Sequence, residues 1–587
     1  MELPNKPHYQ MKKYIVVALS FLSFVNLIAQ KNEFTTVFEQ TNGKETATYV
    51  QVIDFYNRLS KTYPMIKVIE KGSTDSGLPL HLVLLNPDKN FNIDQIRSQK
   101  RILFINNGIH PGEPDGIDAT MMLYRDIAQG KVKPPLHTVL ATIPIYNIGG
   151  ALNRNSHSRT NQEGPEAYGF RGNAKNYDLN RDFIKSDSKN AASFTEIYHE
   201  LKPDVFIDNH VSNGADYQYV LTHLFTQHNK LGGETGNYLN KELKPALITS
   251  LKEKNYDITP YVNVFNQVPE KGFSQFFDSP RYSTGYTSLW NTIGMMVETH
   301  MLKPYDKRVH GTYALLSSMI DIIEKDYLKI KEVRAKSQTH FQNSKSYTVN
   351  WEVSKDTTSI VNFKGYQGTF TPSEVTGKTR LKYDRTKPFT RPIKHYDTYL
   401  SAKIVRIPKA YLIPKAWDNV IARLKLNQIE MRLLDTPQTI EVEVYHIQDY
   451  QTVDTPYEGH YLHKNTEVTT IKEQLTIAPN TYYQVLTDQT GIRYLLETLE
   501  PEAVDSFFNW NFFDTILQQK EGFSPYVWED KALEFLDNNP KIKSAFEAKR
   551  KSDTAFANNW YAQLEWIHKK SPFYEKAHLR YPIYSVQ

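Results

Sequence analysis

Apolar residues recur at helical spacing over residues 45–62, where Val52, Phe55, Tyr56 and Leu59 share one face before Pro64 ends the pattern. This predicts an opening amphipathic helix. Two short β-like runs come next, Ile66 to Glu70 and Leu80 to Leu85, around KGSTDSGLP, whose Gly72, Gly77 and Pro79 supply turn chemistry; they predict a hairpin. The rhythm then becomes strand, loop, helix. RILFINN (101–107) is an apolar run that opens into GIHPGEPDG and a helical ATMMLYRDIA, and HTVLATIPIYN (137–147) is a second such run. PDVFIDNH (203–210) and IGMMVETH (293–300) repeat the design, each an apolar strand that stops at charged or imidazole side chains. Strands alternating with helices predict an α/β fold with a mixed, largely parallel sheet flanked by helices, whose ligands bind beyond the carboxyl ends of the strands.

A helical stretch over about 308–338 closes this unit. Short Thr, Val, Tyr and Ile runs with turn signals then predict a β-rich accessory domain over 345–495, and PEAVDSFFNWNFFDTILQQ with ALEFLDNNPKIKSAFEAK predict a helical C-terminal region over 496–587. The α/β domain is expected over 31–340. Ahead of it, MKKYIVVALSFLSFVNLIAQ (11–30) joins Lys12 and Lys13 to an apolar run ending at Ala29-Gln30, which reads as a secretory signal within residues 1–30, with Met11 as an alternative start. The apolar stretch is shorter than the roughly 20 residues a spanning helix needs, and no later segment is apolar enough. The expected product is exported, to a periplasm or beyond the cell, with no membrane span after cleavage.

Composition narrows the chemistry. Aromatics at 13%, with 38 Tyr, fit a globular chain with much β-structure. The net charge of +5 arises from 70 basic and 65 acidic residues that are interspersed, so nucleic acid is not an expected partner; the small excess could instead help attract carboxylate-bearing substrates. With no cysteine, a metal site must use histidines and carboxylates.

His110 and Glu113 form an HxxE pair, a spacing that 18 histidines produce about once by chance. Context strengthens it: the pair comes after a buried strand, and Pro111-Gly112 make a tight turn able to bring an imidazole and a carboxylate onto one metal. A catalytic zinc site needs three protein ligands and an open position, so a third should end another strand. His210 fits, closing VFIDNH, whereas His157, His223 and His228 lie in less regular segments. Between them runs FRGNAKNYDLNRDF (170–183), carrying Arg171, Asn180 and Arg181.

The order HxxE, R-G-N with D-L-N-R, a strand-ending His and a strand-ending Glu, over about residues 45–330, resembles the zinc carboxypeptidase family of carboxypeptidases A and B. The resemblance implies a secreted, multidomain bacterial member that binds one Zn2+ through His110, Glu113 and His210. It implies that Asn180 and Arg181 hold the C-terminal carboxylate of a peptide, and that Glu298 is the general base acting on water at the zinc. Arg171 matches the carbonyl-polarising arginine, with Arg159 as its rival. Tyr282 matches the mobile tyrosine that closes on substrate, spaced from Gly285 and Trp290 as in the family; Tyr286 is the alternative and a further substrate contact, and Arg281 stands beside them. TSLW (287–290), near the expected specificity pocket, holds no acid, which disfavours a basic terminal side chain. Two other functions remain open: the same zinc site acting on cell-wall peptides or N-acyl amino acids, and a non-catalytic surface binding protein. Each is separable by whether, and where, peptides are cut.

Overall fold

The computed structural model describes residues 34–587, so the expected export signal lies outside the described residues. Among the described residues no helix is long and apolar enough to cross a membrane. The chain divides into two compact units, one taking residues up to Ile407 with Ala422–Ile429 and Asp488–Glu497, the other taking Pro408–Ile421, Glu430–Thr487 and Thr498–Gln587.

The first unit is organised by a sheet of eight strands. In chain order these are β1 (Ile66–Lys71), β2 (Leu80–Leu85), β3 (Arg101–Asn106), β4 (Thr138–Ile143), β5 (Val205–Ser212), β6 (Leu221–Phe225), β7 (Ile258–Pro260) and, after the two-residue β8 (Phe273–Ser274) of another sheet, β9 (Ile293–His300). They lie in the order β1-β2-β4-β3-β5-β9-β6-β7. The centre, β4-β3-β5-β9, is parallel; the hairpin β1-β2 enters antiparallel, and β6 runs antiparallel to β9. Strands β2 to β5 are buried along their whole length, which is why they read as unbroken apolar runs rather than alternating ones.

Helices cover the sheet. Tyr49–Thr62 starts at a Thr48/Gln51 capping box and buries Val52, Phe55, Tyr56 and Leu59. Asp115–Ala128 is buried nearly throughout, and the long helix Tyr305–Asn343 supplies partners to the two buried acids of its first turn, Asp115 and Asp118. Arg308 Nε donates to Asp115 Oδ2 at 3.0 Å, and the Tyr305 hydroxyl donates to Asp118 at 2.5 Å.

Two antiparallel elements complete this unit: β10 (Ser346–Val353) paired with β13 (Tyr399–Arg406), and the long hairpin of β11 (Ser359–Pro372) and β12 (Thr379–Tyr396), whose base adds in parallel to β8. The second unit has an antiparallel sheet ordered β15-β18-β14-β19-β16-β17, formed by β14 (Ala410–Pro414), β15 (Arg432–Leu433), β16 (Gln438–Thr452), β17 (His463–Ile477), β18 (Tyr482–Leu486) and β19 (Arg580–Val586). Its helices Pro525–Asn538, Pro540–Ser552 and Trp560–Lys570 pack around Trp528, Phe546, Phe556 and Leu564. After them the chain returns as a strand, β19, between β14 and β16. Within this unit Glu500 is buried and accepts from the hydroxyls of Tyr411 and Tyr445.

Candidate metal centre

β3 stops at Asn106, and the turn beyond it is closed by the Glu113 amide donating to the His110 carbonyl at 2.8 Å, which folds both side chains to one side. Gly112 is required there by space. A Cβ would lie 2.6 Å from Arg159 Cδ and 3.0 Å from the Gly169 carbonyl. Two strands away in sequence but adjacent to β3 in the sheet, β5 carries His210 to the same end. One ligand atom from each of His110, Glu113 and His210 lies within 4.8 Å of the others, and all three residues are buried.

The carboxylate and ring contacts assign the coordinating nitrogens. His110 Nδ1 is 3.3 Å from Glu113 Oε1 and has no hydrogen-bond partner, while its Nε2 meets Asp178 Oδ1 at 2.9 Å. His210 Nδ1 is 3.2 Å from Glu113 Oε2, and its Nε2 is 3.0 Å from Asp208 Oδ2. At His110 the carboxylate on Nε2 favours the tautomer with its proton there, leaving the Nδ1 lone pair facing inward, whereas His210 Nε2 makes no hydrogen bond and its Nδ1 is bonded to Glu113. Two inward imidazole nitrogens and one carboxylate, one nitrogen of them orphaned, fit a divalent cation with an open position.

Electrostatics agree. Burial works against an ionised Glu113, but Arg159, with NH1 2.7 Å from Oε1, and then His110 hold its carboxyl well below the usual range. Burial likewise opposes a charged Asp178, and His110, Arg181 and Arg171 overcome it. His210 would be depressed by burial but is raised well above the ordinary imidazole value by Asp208.

A cleft of about 220 Å³ opens on this cluster and is lined by Arg171, Asn180, Arg181, Tyr282 and Glu298 together with the three candidate ligands. Glu298 is the direct register partner of His210 on the neighbouring parallel strand. Burial pushes its carboxyl up to about 7; His210 opposes that rise and Glu113 adds to it. A bound cation would draw it down again. Asp178 caps the L-N-R turn, accepting from the Asn180 amide at 2.9 Å, and takes Arg171 Nε at 3.0 Å. The Asn180 side-chain oxygen accepts from the Ser283 amide, and the Arg181 guanidinium stands 4.5 Å from the Tyr282 ring centroid.

The fold separates the rivals. Arg171 faces the cleft, 42% exposed, whereas Arg159 is 14% exposed and stands behind Glu113. Tyr286 is not brought to the cleft: its ring packs on Trp290, and its hydroxyl donates to Asn427 at 2.7 Å. TSLW is not in the wall either. The apolar lining includes Val211, Leu224, Phe265, Phe276 and Met296, and the acids lining the cleft are Glu113 and Glu298. His223 and His228 border a separate cavity, and His157 borders a polar groove on the far side of Arg159. Sequence reasoning missed Asp178 and Asp208. Asp208 carried a signal, because residues two apart on a strand share a face and it stands two before His210.

No family model matches the chain. It is similar to Carboxypeptidase 2 of Trichophyton rubrum, 20% identical over 474 residues that span 77% of this chain and 81% of that protein. It is also similar to Carboxypeptidase 2 of Trichophyton equinum, 21% identical over 436 residues, 71% of this chain and 74% of that one. Solved structures with some likeness include a metallo-carboxypeptidase from Burkholderia cenocepacia (16% identity, TM-score 0.36, 48% of this chain and 70% of that chain). The carboxypeptidase A of Helicoverpa armigera is another (13% identity, TM-score 0.35, 50% and 74%). The chain is therefore similar in sequence to proteins named carboxypeptidases, and the residues singled out in its motifs are ones the fold gathers around one cleft.

Proposed function

We propose that the chain is an exported zinc metallocarboxypeptidase that removes the C-terminal residue of peptides. The observation that supports this best is the sharing of one cleft by a three-ligand cluster, the Glu298 carboxylate and the Asn180-Arg181 pair. His110, Glu113 and His210 would hold the ion, and zinc bound there supplies Lewis acidity toward a carbonyl and toward water. Arg181 and Asn180 bind the terminal carboxylate; a guanidinium fork suits that planar anion. Tyr282, held over Arg181, covers the terminal residue. Glu298, on the strand beside His210 and lining the same cleft, takes a proton from water and later delivers it to the departing amine. Arg171, on the cleft side of Glu113, would stabilise a developing oxyanion. The terminal side chain meets Leu224, Phe276 and Met296, which favours apolar residues. Export is assigned to residues 11–30.

The test compares one peptide with a free and with an amidated C-terminus, read by mass spectrometry with and without a chelator. Loss of single residues from the free form alone, abolished by the chelator, is expected. Equal cleavage of the amidated form would replace this reading with an endopeptidase or amidase.

A further inference from the structure

The hairpin formed by β11 and β12 concentrates charge that looks interspersed along the sequence. Residues 359–396 carry eight basic side chains (Lys364, Lys378, Arg380, Lys382, Arg385, Lys387, Arg391 and Lys394) against two acids, Glu374 and Asp384. The excess of six exceeds the net charge of +5 carried by the entire chain. Four of the cations are committed: Lys364 to Asp257, Arg385 to Asp216, Lys387 to Asp384 and Arg391 to Glu270. Lys378, Arg380, Lys382 and Lys394 are exposed and have no acidic partner within 4.0 Å among the described residues. Arg380 and Lys382 share one face of β12, opposite Thr371 and Thr369 of β11, so nothing across the strand neutralises them.

The other side of this hairpin is fixed to the wall of the cleft. Phe363 and Ile393 share a small core with Tyr217, Val262, Val264 and Phe273. The Gln218 side-chain amide donates to the carbonyls of Gly365 and Phe389, and the Tyr383 hydroxyl donates to the Gln267 carbonyl. Val262 and Val264 enter this core, while Tyr261, Asn263 and Phe265 between and beside them line the cleft. Alternate residues of a single segment thus face the hairpin on one side and the metal cluster on the other.

We propose that the hairpin is a docking arm for acidic peptides: it holds an anionic stretch of the substrate upstream of the terminal residue that the cleft receives. The inference rests on the peptidase reading and adds a substrate class to it. An extended chain advances about 3.3 Å per residue, so Lys378, one residue before β12, lies about 17 Å along the chain from the anchored Tyr383. The acidic stretch therefore belongs several residues before the C-terminus rather than next to it. Uncommitted lysines and arginines are what such a stretch pairs with, and attraction of this kind acts on capture more than on the chemical step.

The experiment uses the full chain loaded with zinc and a set of peptides sharing one C-terminal sequence, with a Glu triplet or a Gln triplet placed about 4, 8 or 12 residues upstream, a spread that brackets the reach of the arm. Affinity is read by fluorescence anisotropy, and kcat/KM by release of the terminal residue. We expect the Glu peptides to bind and react about tenfold better at one of these spacings, through KM, with the advantage fading as salt shortens the Debye length. A Lys378→Gln, Arg380→Gln, Lys382→Gln, Lys394→Gln quadruple variant should lose this preference and keep its rate on a blocked dipeptide too short to reach the arm. Equal binding of Glu and Gln peptides, or a preference that survives in the quadruple variant, overturns the proposal. Capture of vesicles rich in an anionic lipid, without discrimination among the peptides, also overturns it. Failure to cut the dipeptide would count against the peptidase reading instead, and the anisotropy still decides the fate of the arm.

Discussion

Replacing Asp178 by Asn removes one charge without changing shape, and the contacts of its two oxygens determine the effect. Oδ1 of Asp178 receives His110 Nε2 at 2.9 Å and the Asn180 amide at 2.9 Å, while Oδ2 receives Arg171 Nε at 3.0 Å. Every partner is a donor. An asparagine has one accepting oxygen and one donating nitrogen, so either orientation sets donor against donor. With its NH2 toward His110 it favours the tautomer protonated on Nδ1, the nitrogen that faces Glu113. With its NH2 toward Arg171 it releases that guanidinium. Loss of such a carboxylate partner typically costs 10- to 100-fold in metal affinity, about 1.4–2.7 kcal/mol. Competition for zinc against a chromophoric chelator, with protein matched for circular dichroism, measures this directly. An unchanged zinc affinity would refute the assignment of Nδ1 as the coordinating atom and of Asp178 as its orienting partner.

The other predictions concern the same cleft and the second unit. Glu298→Gln should retain stoichiometric zinc and lose about 10²- to 10⁴-fold in kcat, the usual worth of a general base; full turnover would remove Glu298 from that role. His210→Ala should leave no zinc by plasma emission after dialysis, and a variant that keeps its metal would show the ligand set to be wrong. Glu500 makes a prediction about pH: burial raises its carboxyl to about 7 against an ordinary 4.5, with the Tyr411 and Tyr445 hydroxyls opposing the rise. The folded state therefore holds the proton more tightly than the unfolded chain. Its contribution is full below about pH 4.5 and is lost as pH climbs to about 7, a change of about 3 kcal/mol. Denaturant titrations read by tryptophan fluorescence report mainly on this unit, which holds Trp417, Trp510, Trp528, Trp560 and Trp566, and Glu500→Gln should flatten the decline. An equal slope in both proteins would refute the assignment.

Much of the site was legible because chemistry and periodicity coincide at strand ends. The apolar runs at 101–107 and 293–300 became β3 and β9, and the polar residues that stopped them stand where a parallel sheet presents its ligands. What the pattern could not express was direction and depth. The sequence around His223 reads as irregular, yet Leu221–Phe225 forms the buried strand β6, and its antiparallel run against β9 is a sense that periodicity does not encode. Tyr282 and Tyr286 are four residues apart in one motif, and only packing against Trp290 and Asn427 buries the second. Asp178 meets His110 across a long stretch of chain, a pairing that no local spacing encodes. The charge of the β11–β12 hairpin vanishes in the whole-chain total, because acids elsewhere balance it, and shows only when residues 359–396 are counted on their own.

His210 and Glu298 are direct partners on adjacent parallel strands. Their separation is therefore set by the roughly 4.8 Å between strands, and not by the chain that leaves β5 and returns at β9. Between those points lie β6, β7 and the helix Lys244–Glu253, and none of that length enters the distance between the candidate ligand and the proposed base. Lengthening this excursion leaves the His210–Glu298 spacing intact, whereas a slip of one residue in either strand turns one of the two side chains to the opposite face. Insertions between the strands are the tolerated route by which descendants of such a chain can acquire new walls for the cleft, and the register of β5 against β9 is where its sequence is least free to drift.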